Sequence, residues 1–473
     1  MTSKYTYDLI VLGTGPAGEK AAAKAAYFGK KVAIVEKEKC YGGAGVNTGT
    51  LPSKTLKESA LYYSGKYDTG IFGSDKVLGG KTTIQDFLYR KNYVIDKLEE
   101  EVLKNLERHK VDLFQGTGSF LDNHTIRVAG DDGDTDITGD FILIATGSYP
   151  FHPPNIQFDS IIVHDSDSIL NIMRIPESLC IVGAGVIGCE YATIFGVMGT
   201  KVYLVNNSDR ILPFLDNEIS QALVNQMHED GVNILFNASI DEMTVPEKMD
   251  DNIQIRLKDG MVFEVDMFLF AAGRSGTTSA LNCENAGVEL GKREAVNVNG
   301  HYQTSRKNIY AVGDVIGFPA LASTSMDQGR VAVSHMFNIH DLDALPKIFP
   351  YGIYTIPEVS MVGITEEQAI ADGLDYIAGR AHHAKVPRGR IMGAQSGILK
   401  IIVSKEDLVI RGVHIMGRMA AEIIHYGLAL VQNQTTVNEV VATVFNYPTL
   451  HDLYKYACYD ALGNLSGHKV KEF

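Results

Sequence analysis

Two glycine-rich turns are the residues best spaced for chemistry. Gly13-Thr14-Gly15-Pro16-Ala17-Gly18 lies between an apolar run, Tyr7 to Leu12, and an alanine-rich run, Pro16 to Tyr27. In such a turn the first glycine allows the tight bend, the second lets the backbone approach a pyrophosphate, and the third lets helix and strand pack closely. The helix N-terminus then offers unpaired N–H groups and a partial positive charge to phosphate oxygens. Glu36 ends the next apolar run, Lys31 to Val35, about twenty residues on, where an acid accepts hydrogen bonds from a ribose hydroxyl pair. Gly183-Ala184-Gly185-Val186-Ile187-Gly188 repeats the arrangement, after Leu179 to Val182 and before an expected helix from Cys189 to Phe195. Its second strand, Lys201 to Val205, ends at the neutral Asn206. An acid there would repel a 2′-phosphate and favour NAD; asparagine removes the repulsion. Arg210 could pair with a 2′-phosphate or be a solvated loop residue, so NAD and NADP both stay open at this turn.

Thiol and metal chemistry are not expected. The five cysteines, Cys40, Cys180, Cys189, Cys283 and Cys458, show neither CxxC nor CxxxxC spacing. An unpaired, scattered set is the usage of a reducing cytosol. The chain opens Met-Thr-Ser-Lys-Tyr-Thr-Tyr-Asp and runs straight into an apolar strand, so a cleavable secretory segment is not expected. The most apolar stretch, Ile181 to Met198, holds Glu190 and several glycines and is no membrane span. A net charge of −14 disfavours nucleic acid and anionic membranes as partners. A cytoplasmic enzyme is expected.

These turns need elements to hold them. With 473 residues, two to four domains are expected. The first third alternates strand and helix, with a polar helical region from about Thr83 to Lys110 and then short strands around the turn Gly130-Asp131-Asp132-Gly133, which read as an antiparallel meander. After the linker-like Tyr149-Pro150-Phe151-His152-Pro153-Pro154 comes the second βαβ unit, and from Ile309 the strand, turn and helix pattern returns. Strands such as Ile398 to Val403 and Val409 to His414, with a helix from Met419 to Gln432, make a different C-terminal region. The fold class is α/β: two Rossmann-like units, the second inserted in the first, plus an α+β region. The expected domains are 1–150 with 276–348, 151–275, and 349–473.

Two dinucleotide turns, one inserted, resemble the flavoprotein disulfide reductase family. Ala145-Thr146-Gly147 and Ala271-Ala272-Gly273-Arg274 look like its strand-to-linker junctions, and Tyr310-Ala311-Val312-Gly313-Asp314 resembles its second FAD fingerprint. Tyr354-Thr355-Ile356-Pro357-Glu358 resembles the start of its dimerisation domain, so the likeness runs from Tyr7 to about Leu462. Dihydrolipoamide dehydrogenase and glutathione reductase in that family carry a CxxxxC pair after Gly-Gly. Here Gly42-Gly43 is followed by Gly45 and Thr50 at the two cysteine positions, then Pro52 and Lys54, while Cys40 lies too early. At the C-terminus the family places His before Pro, with an acid five residues later. Asn446-Tyr447-Pro448-Thr449 puts Tyr447 at the His and Asp452 at the acid, with His451 out of register as a surface-helix residue. Phenols ionise only near pH 10 and are poor proton shuttles at neutrality. Thiols and base are lost together, so disulfide reduction is not expected.

The resemblance goes furthest with the family's transhydrogenase branch, in which the second cysteine position is also Thr and the C-terminal motif also reads Asn-Tyr-Pro-Thr; Gly45 departs from a position that can be Cys there. It implies FAD on the Gly13 turn, with Asp314 on its ribityl or phosphate portion and the helix starting near Leu321 and Ala322 aimed at its N1–C2=O edge. Lys54 and Glu190 resemble a family pair near flavin N5, or are an ordinary ion pair. NAD or NADP would dock on the Gly183 turn, and one site used in turn would give ping-pong hydride transfer between NADPH/NADP and NAD/NADH. A quinone-reducing diaphorase and a nucleotide-binding subunit without turnover remain as alternatives. At least a homodimer is implied, with Tyr447 and Asp452 approaching the partner's flavin.

Overall fold

A computed structural model describes residues 4–67, 82–246 and 251–468. The first sheet has a parallel half and an antiparallel half joined by one long strand. Its parallel order is Asp112–Gln115, Val32–Glu36, Tyr7–Leu12, Gly133–Ile144 and Ile309–Ala311. Val32–Glu36 is buried at every position, as expected for a sheet covered on both faces. The N-terminal half of Gly133–Ile144 leaves the parallel stack and pairs antiparallel with Thr125–Gly130, which pairs with Thr117–Phe120. This is the expected meander, and its last strand runs on into the nucleotide-binding sheet. Pro16–Tyr27 packs its alanine face against Ala322–Phe337, so closely that a Cβ at Gly329 would lie 2.4 Å from the Ala17 carbonyl oxygen.

The inserted unit is a parallel sheet in the order Val232–Leu235, Lys201–Val205, Ser178–Val182, Met267–Phe270 and Val163–Asp165. Its first helix, Val186–Val197, is longer than the expected Cys189 to Phe195, because Gly185 caps it and Val186 and Ile187 already form its first turn. An antiparallel sheet, Ile240–Thr244, Ile253–Leu257 and Val262–Val265, flanks it. Ser148–Pro150, which includes Tyr149 and Pro150 of the expected linker, pairs with Arg274–Gly276, so the outgoing and returning chains form one ladder between the two nucleotide-type sheets.

The C-terminal region is an antiparallel sheet in the order Tyr351–Ile353, Val359–Gly363, Ile410–Met416, Ile398–Ser404 and Tyr376–His382. Ala420–Gln432 and Asp452–Ser466 bury Ile423, Ile424, Leu430, Leu453 and Tyr454 in its core. Among the described residues no helix is long and apolar enough to cross a membrane.

Candidate active site

The two glycine turns adopt one geometry. At Gly13 φ is +105°, and a Cβ would lie 2.6 Å from the Ala145 carbonyl oxygen; at Gly18 it would lie 2.0 Å from the Gly13 oxygen. A Cβ on Gly15 would meet nothing nearer than Gly43 Cα at 3.9 Å. The second turn repeats this: Gly183 has φ +103°, a Gly188 Cβ would lie 1.8 Å from the Gly183 oxygen, and Gly185 has nothing within 4 Å. In each turn the outer glycines are forced by packing and the middle one faces open space. No side chain caps the helix after either turn, which leaves first-turn N–H groups for an anion. Both cradles fit a dinucleotide pyrophosphate.

Glu36 is buried and tied to the first turn. Its Oε2 accepts from the Thr14 N–H at 2.9 Å and the Thr14 hydroxyl at 2.6 Å, while Oε1 accepts from the Glu38 N–H. The Thr14 hydroxyl also accepts from the Gly42 N–H at 3.0 Å, so turn, acid and the Gly42-Gly43 loop are locked together. Thr14 was not among the expected site residues; as a variable position of the glycine motif it carries no signal until its neighbours are seen. Gly45 and Thr50 stand where the resemblance puts the cysteines. A Cβ at Gly45 would lie 2.6 Å from Pro16 Cγ and 3.1 Å from its Cδ, so this position is closed against the phosphate turn. The five cysteines are all free. Burial pushes the Cys283 thiol up to about 11 and the Cys458 thiol up to about 12, away from reactive thiolates.

Lys54 and Glu190 come together from separate helices, Thr50–Ser64 and Val186–Val197. Lys54 Nζ donates to both Glu190 oxygens, at 3.0 and 2.8 Å, with the Glu190 side chain only 4% exposed. Glu190 Oε1 also accepts from the Tyr354 N–H at 2.9 Å, and the Tyr354 ring lies 5.1 Å from Lys54 Nζ. Nearby, Lys57 pairs with Glu358 at 2.5 Å. The chain thus gathers one ion pair from three regions, a feature that pairwise motifs could not show.

Asp314 begins a chain of hydrogen bonds that reaches from the second FAD-type fingerprint into the inserted unit. Its Oδ2 accepts from the Ser148 hydroxyl, which accepts from Arg274 Nε, and Arg274 continues to Asp167 and Ser166. The Thr146 hydroxyl donates to the Thr277 carbonyl, and Gly147, Gly273 and Gly313 all take positive φ at these crossings. Leu321 caps Ala322–Phe337 without a side-chain hydrogen bond, leaving that N-terminus open as well. At the second cradle Asn206 is buried, and its amide donates to the carbonyls of Ser208 and Arg210. Arg210 Nη2 donates to the Leu215 carbonyl at 2.9 Å, and Arg210 lines a cavity of about 300 Å³ with Asp209, Asn217 and Gln221. Arg210 is therefore half-buried and braces its loop; it is not a freely solvated arginine.

Tyr447 and Asp452 lie apart from these groups in sequence and setting. Tyr447 is 70% exposed, while Asp452 Oδ2 is buried and has no hydrogen-bond partner among the described residues. His451 differs from its expected surface-helix place. It is half-buried among the rings of Tyr426, Phe445 and Tyr454, and burial holds its imidazole below the ordinary value.

Comparison with known proteins agrees with this geometry. The family pattern for pyridine nucleotide-disulphide oxidoreductases matches residues 7–329, and the pattern for the dimerisation domain of those proteins matches residues 349–458. The chain is 42% identical to the soluble pyridine nucleotide transhydrogenase of Mycobacterium bovis, over 97% of this chain and 98% of that one. It is 39% identical to the protein of the same name from Erwinia tasmaniensis, over 98% and 100%. Among solved structures, the HOCl-induced flavoprotein disulfide reductase RclA from Escherichia coli superposes with a TM-score of 0.85 at 28% identity, covering 95% of this chain and 99% of that one. LpdA from Mycobacterium tuberculosis superposes with a TM-score of 0.87 at 26% identity, covering 95% and 98%.

Proposed function

Because this chain belongs to the pyridine nucleotide-disulphide oxidoreductase family, we propose that it is an FAD-dependent transhydrogenase, interconverting NADPH and NAD⁺ with NADP⁺ and NADH. The observation that carries this reading is the closed thiol exit. Gly45 is packed against Pro16 and Thr50 has only a hydroxyl, so no disulfide lies beside the flavin cradle to take electrons onward. FAD held on the Gly13 turn would supply reversible hydride chemistry between one nicotinamide and the next. The relatives at 42% and 39% identity carry the name of this reaction.

Residues 1–150 with 276–348 form the FAD domain, 151–275 the nicotinamide domain, and 349–473 the dimerisation domain. Gly13, Gly15, Pro16, Ala17 and Gly18 hold the FAD pyrophosphate and Glu36 its ribose. Thr50, Thr146, Gly147, Gly313, Asp314, Leu321 and Ala322 line the rest of the cofactor. Gly183, Gly185, Val186, Ile187 and Gly188 hold the nicotinamide nucleotide, with Asn206, Arg210, Gly273 and Arg274 around it. Lys54, neutralised by Glu190, places an ammonium where hydride arrives. The working molecule is a homodimer or higher homo-oligomer in the cytoplasm.

Among the described residues one cradle is left for nicotinamide, so donor and acceptor take turns at it. Double-reciprocal plots of NADPH at several NAD⁺ concentrations are expected to be parallel, with each nucleotide competing against the other at high concentration. Converging lines would require a second nucleotide site. Fast quinone reduction with no transfer to any nicotinamide acceptor would replace this reading with a diaphorase.

A further inference from the structure

Tyr354 has no role in the assignments above, yet it touches both members of the Lys54–Glu190 pair. It follows the strand Tyr351–Ile353 of the C-terminal region. Its N–H donates to Glu190 Oε1 at 2.9 Å, and two residues on the Ile356 N–H donates to the Thr193 hydroxyl at 3.1 Å. Glu190 and Thr193 are one turn apart on Val186–Val197, so the segment is pinned along that helix. The phenol ring lies close to two ammonium groups, 5.1 Å from Lys54 Nζ and 5.9 Å from Lys57 Nζ. Lys57 is held in turn by Glu358, whose other oxygen accepts from the Ala421 N–H. The face of an aromatic ring attracts a cation, and more strongly when water is thin around it.

We propose that Tyr354 is a positioning residue for hydride transfer, its ring forming the seat that keeps the Lys54 ammonium aimed. Glu190 alone does not determine that aim. A carboxylate attracts an ammonium over a wide range of directions, and Lys54 has a flexible four-carbon stem that is still 23% exposed. The ring removes the directions on its own side. The two contacts of Tyr354 separate cleanly, because the backbone N–H survives any substitution except proline while the ring does not. The proposal rests on the reading that Lys54 stands at the flavin.

The test uses the FAD-loaded protein and three variants, Tyr354→Leu, Tyr354→Phe and Lys54→Met. Lysines are acylated with an amine-reactive ester and quantified by peptide mass, with exposed Lys39 as the internal standard. Lys91, buried and bound to the Leu170 carbonyl, reports general loosening. In Tyr354→Leu, labelling of Lys54 is expected to rise about tenfold with Lys91 unchanged. The single-turnover rate of flavin reduction at saturating NADPH is expected to fall about tenfold, with the NADPH Kd unchanged. Tyr354→Phe keeps the ring face and should hold both values within about twofold of the parent. Unchanged Lys54 labelling in Tyr354→Leu, or a parallel rise at Lys91, overturns the proposal and leaves Tyr354 as packing only. A fall with Lys54→Met but none with Tyr354→Leu overturns it while sparing the site assignment. No fall with Lys54→Met removes both.

Discussion

At Gly45 a missing side chain decides which reactions are open. A Cβ there would sit 2.6 Å from Pro16 Cγ, a contact that must be relieved by moving the phosphate turn. Gly45→Cys should therefore cost about 1–3 kcal/mol in urea unfolding. The parent protein should reduce neither lipoamide nor glutathione disulfide, and robust reduction of either would contradict the closed-exit argument. Lys54 and Glu190 are unequal partners in the same way. Lys54→Met leaves a carboxylate that is 4% exposed with only the Tyr354 N–H, whereas Glu190→Gln keeps an acceptor for that N–H and leaves an ammonium that is 23% exposed. The first should lose about 3–5 kcal/mol and the second about 1–2 kcal/mol, measured by denaturant titration; the reverse order would show that Glu190 is not the stranded charge. Glycine turns could be read in the chain because their chemistry is backbone geometry, which spacing encodes. Thr14, Ser148 and Tyr354 could not, since each owes its part to a partner 22 to 166 residues away.

Among the elements, the helix Asn217–Glu229 of the inserted unit meets the C-terminal sheet through buried charge. Lys400, 1% exposed in the strand Ile398–Ser404, donates to Asp216 at 2.9 Å and Glu366 at 2.5 Å and lies 3.1 Å from Glu218. Arg380 also grips Glu218, at 2.7 Å. Burial alone would push the Asp216 carboxyl up, but the Lys400 hydrogen bond and neighbouring charges outweigh it and hold it below its ordinary 3.8. Glu218, half-buried, is held below its ordinary 4.5 by Arg380 and Lys400. Carboxylates depressed in the folded state contribute stability that is complete above their unfolded values and lost as pH falls through the folded ones. Lys400→Met should therefore cost about 3–5 kcal/mol at pH 7, with the deficit shrinking below about pH 4 as those carboxylates protonate. Urea titrations at the two pH values test this, and a deficit independent of pH would count against the charge argument. Periodicity revealed the strands and helices of both βαβ units, because a parallel sheet buried on both faces needs continuous apolar runs. It did not reveal this joint. Lys400 sits in a strand buried at all seven positions, where an isolated lysine gives no sign of the acids it will meet.

At the scale of the whole molecule, the single chain leaves its C-terminal segment unfinished. Val444 is 92% exposed, Tyr447 70%, Tyr456 51% and Tyr459 50%, an apolar surface that a lone chain would present to water. Beside it the buried Asp452 Oδ2 has no partner among the described residues, although buried carboxylate oxygens are almost always paired. A second copy of the chain would account for both, and residues 349–458 match a dimerisation domain. If Tyr447 and Asp452 serve the partner's site, two defective chains can repair each other. Consider dimers reassembled from equal amounts of Lys54→Met and Asp452→Ala chains. In a two-fold dimer each mixed pair holds one site with both defects and one site with none. Random pairing makes about half of the dimers mixed, so activity should recover to about one quarter of the parent's from two nearly inactive stocks. If Asp452 serves its own chain, every site in every dimer keeps one defect, and activity stays at the average of the two stocks. Recovery that grows with mixing time, at a rate set by subunit exchange, would place Asp452 across the interface; a flat trace would return it to its own subunit.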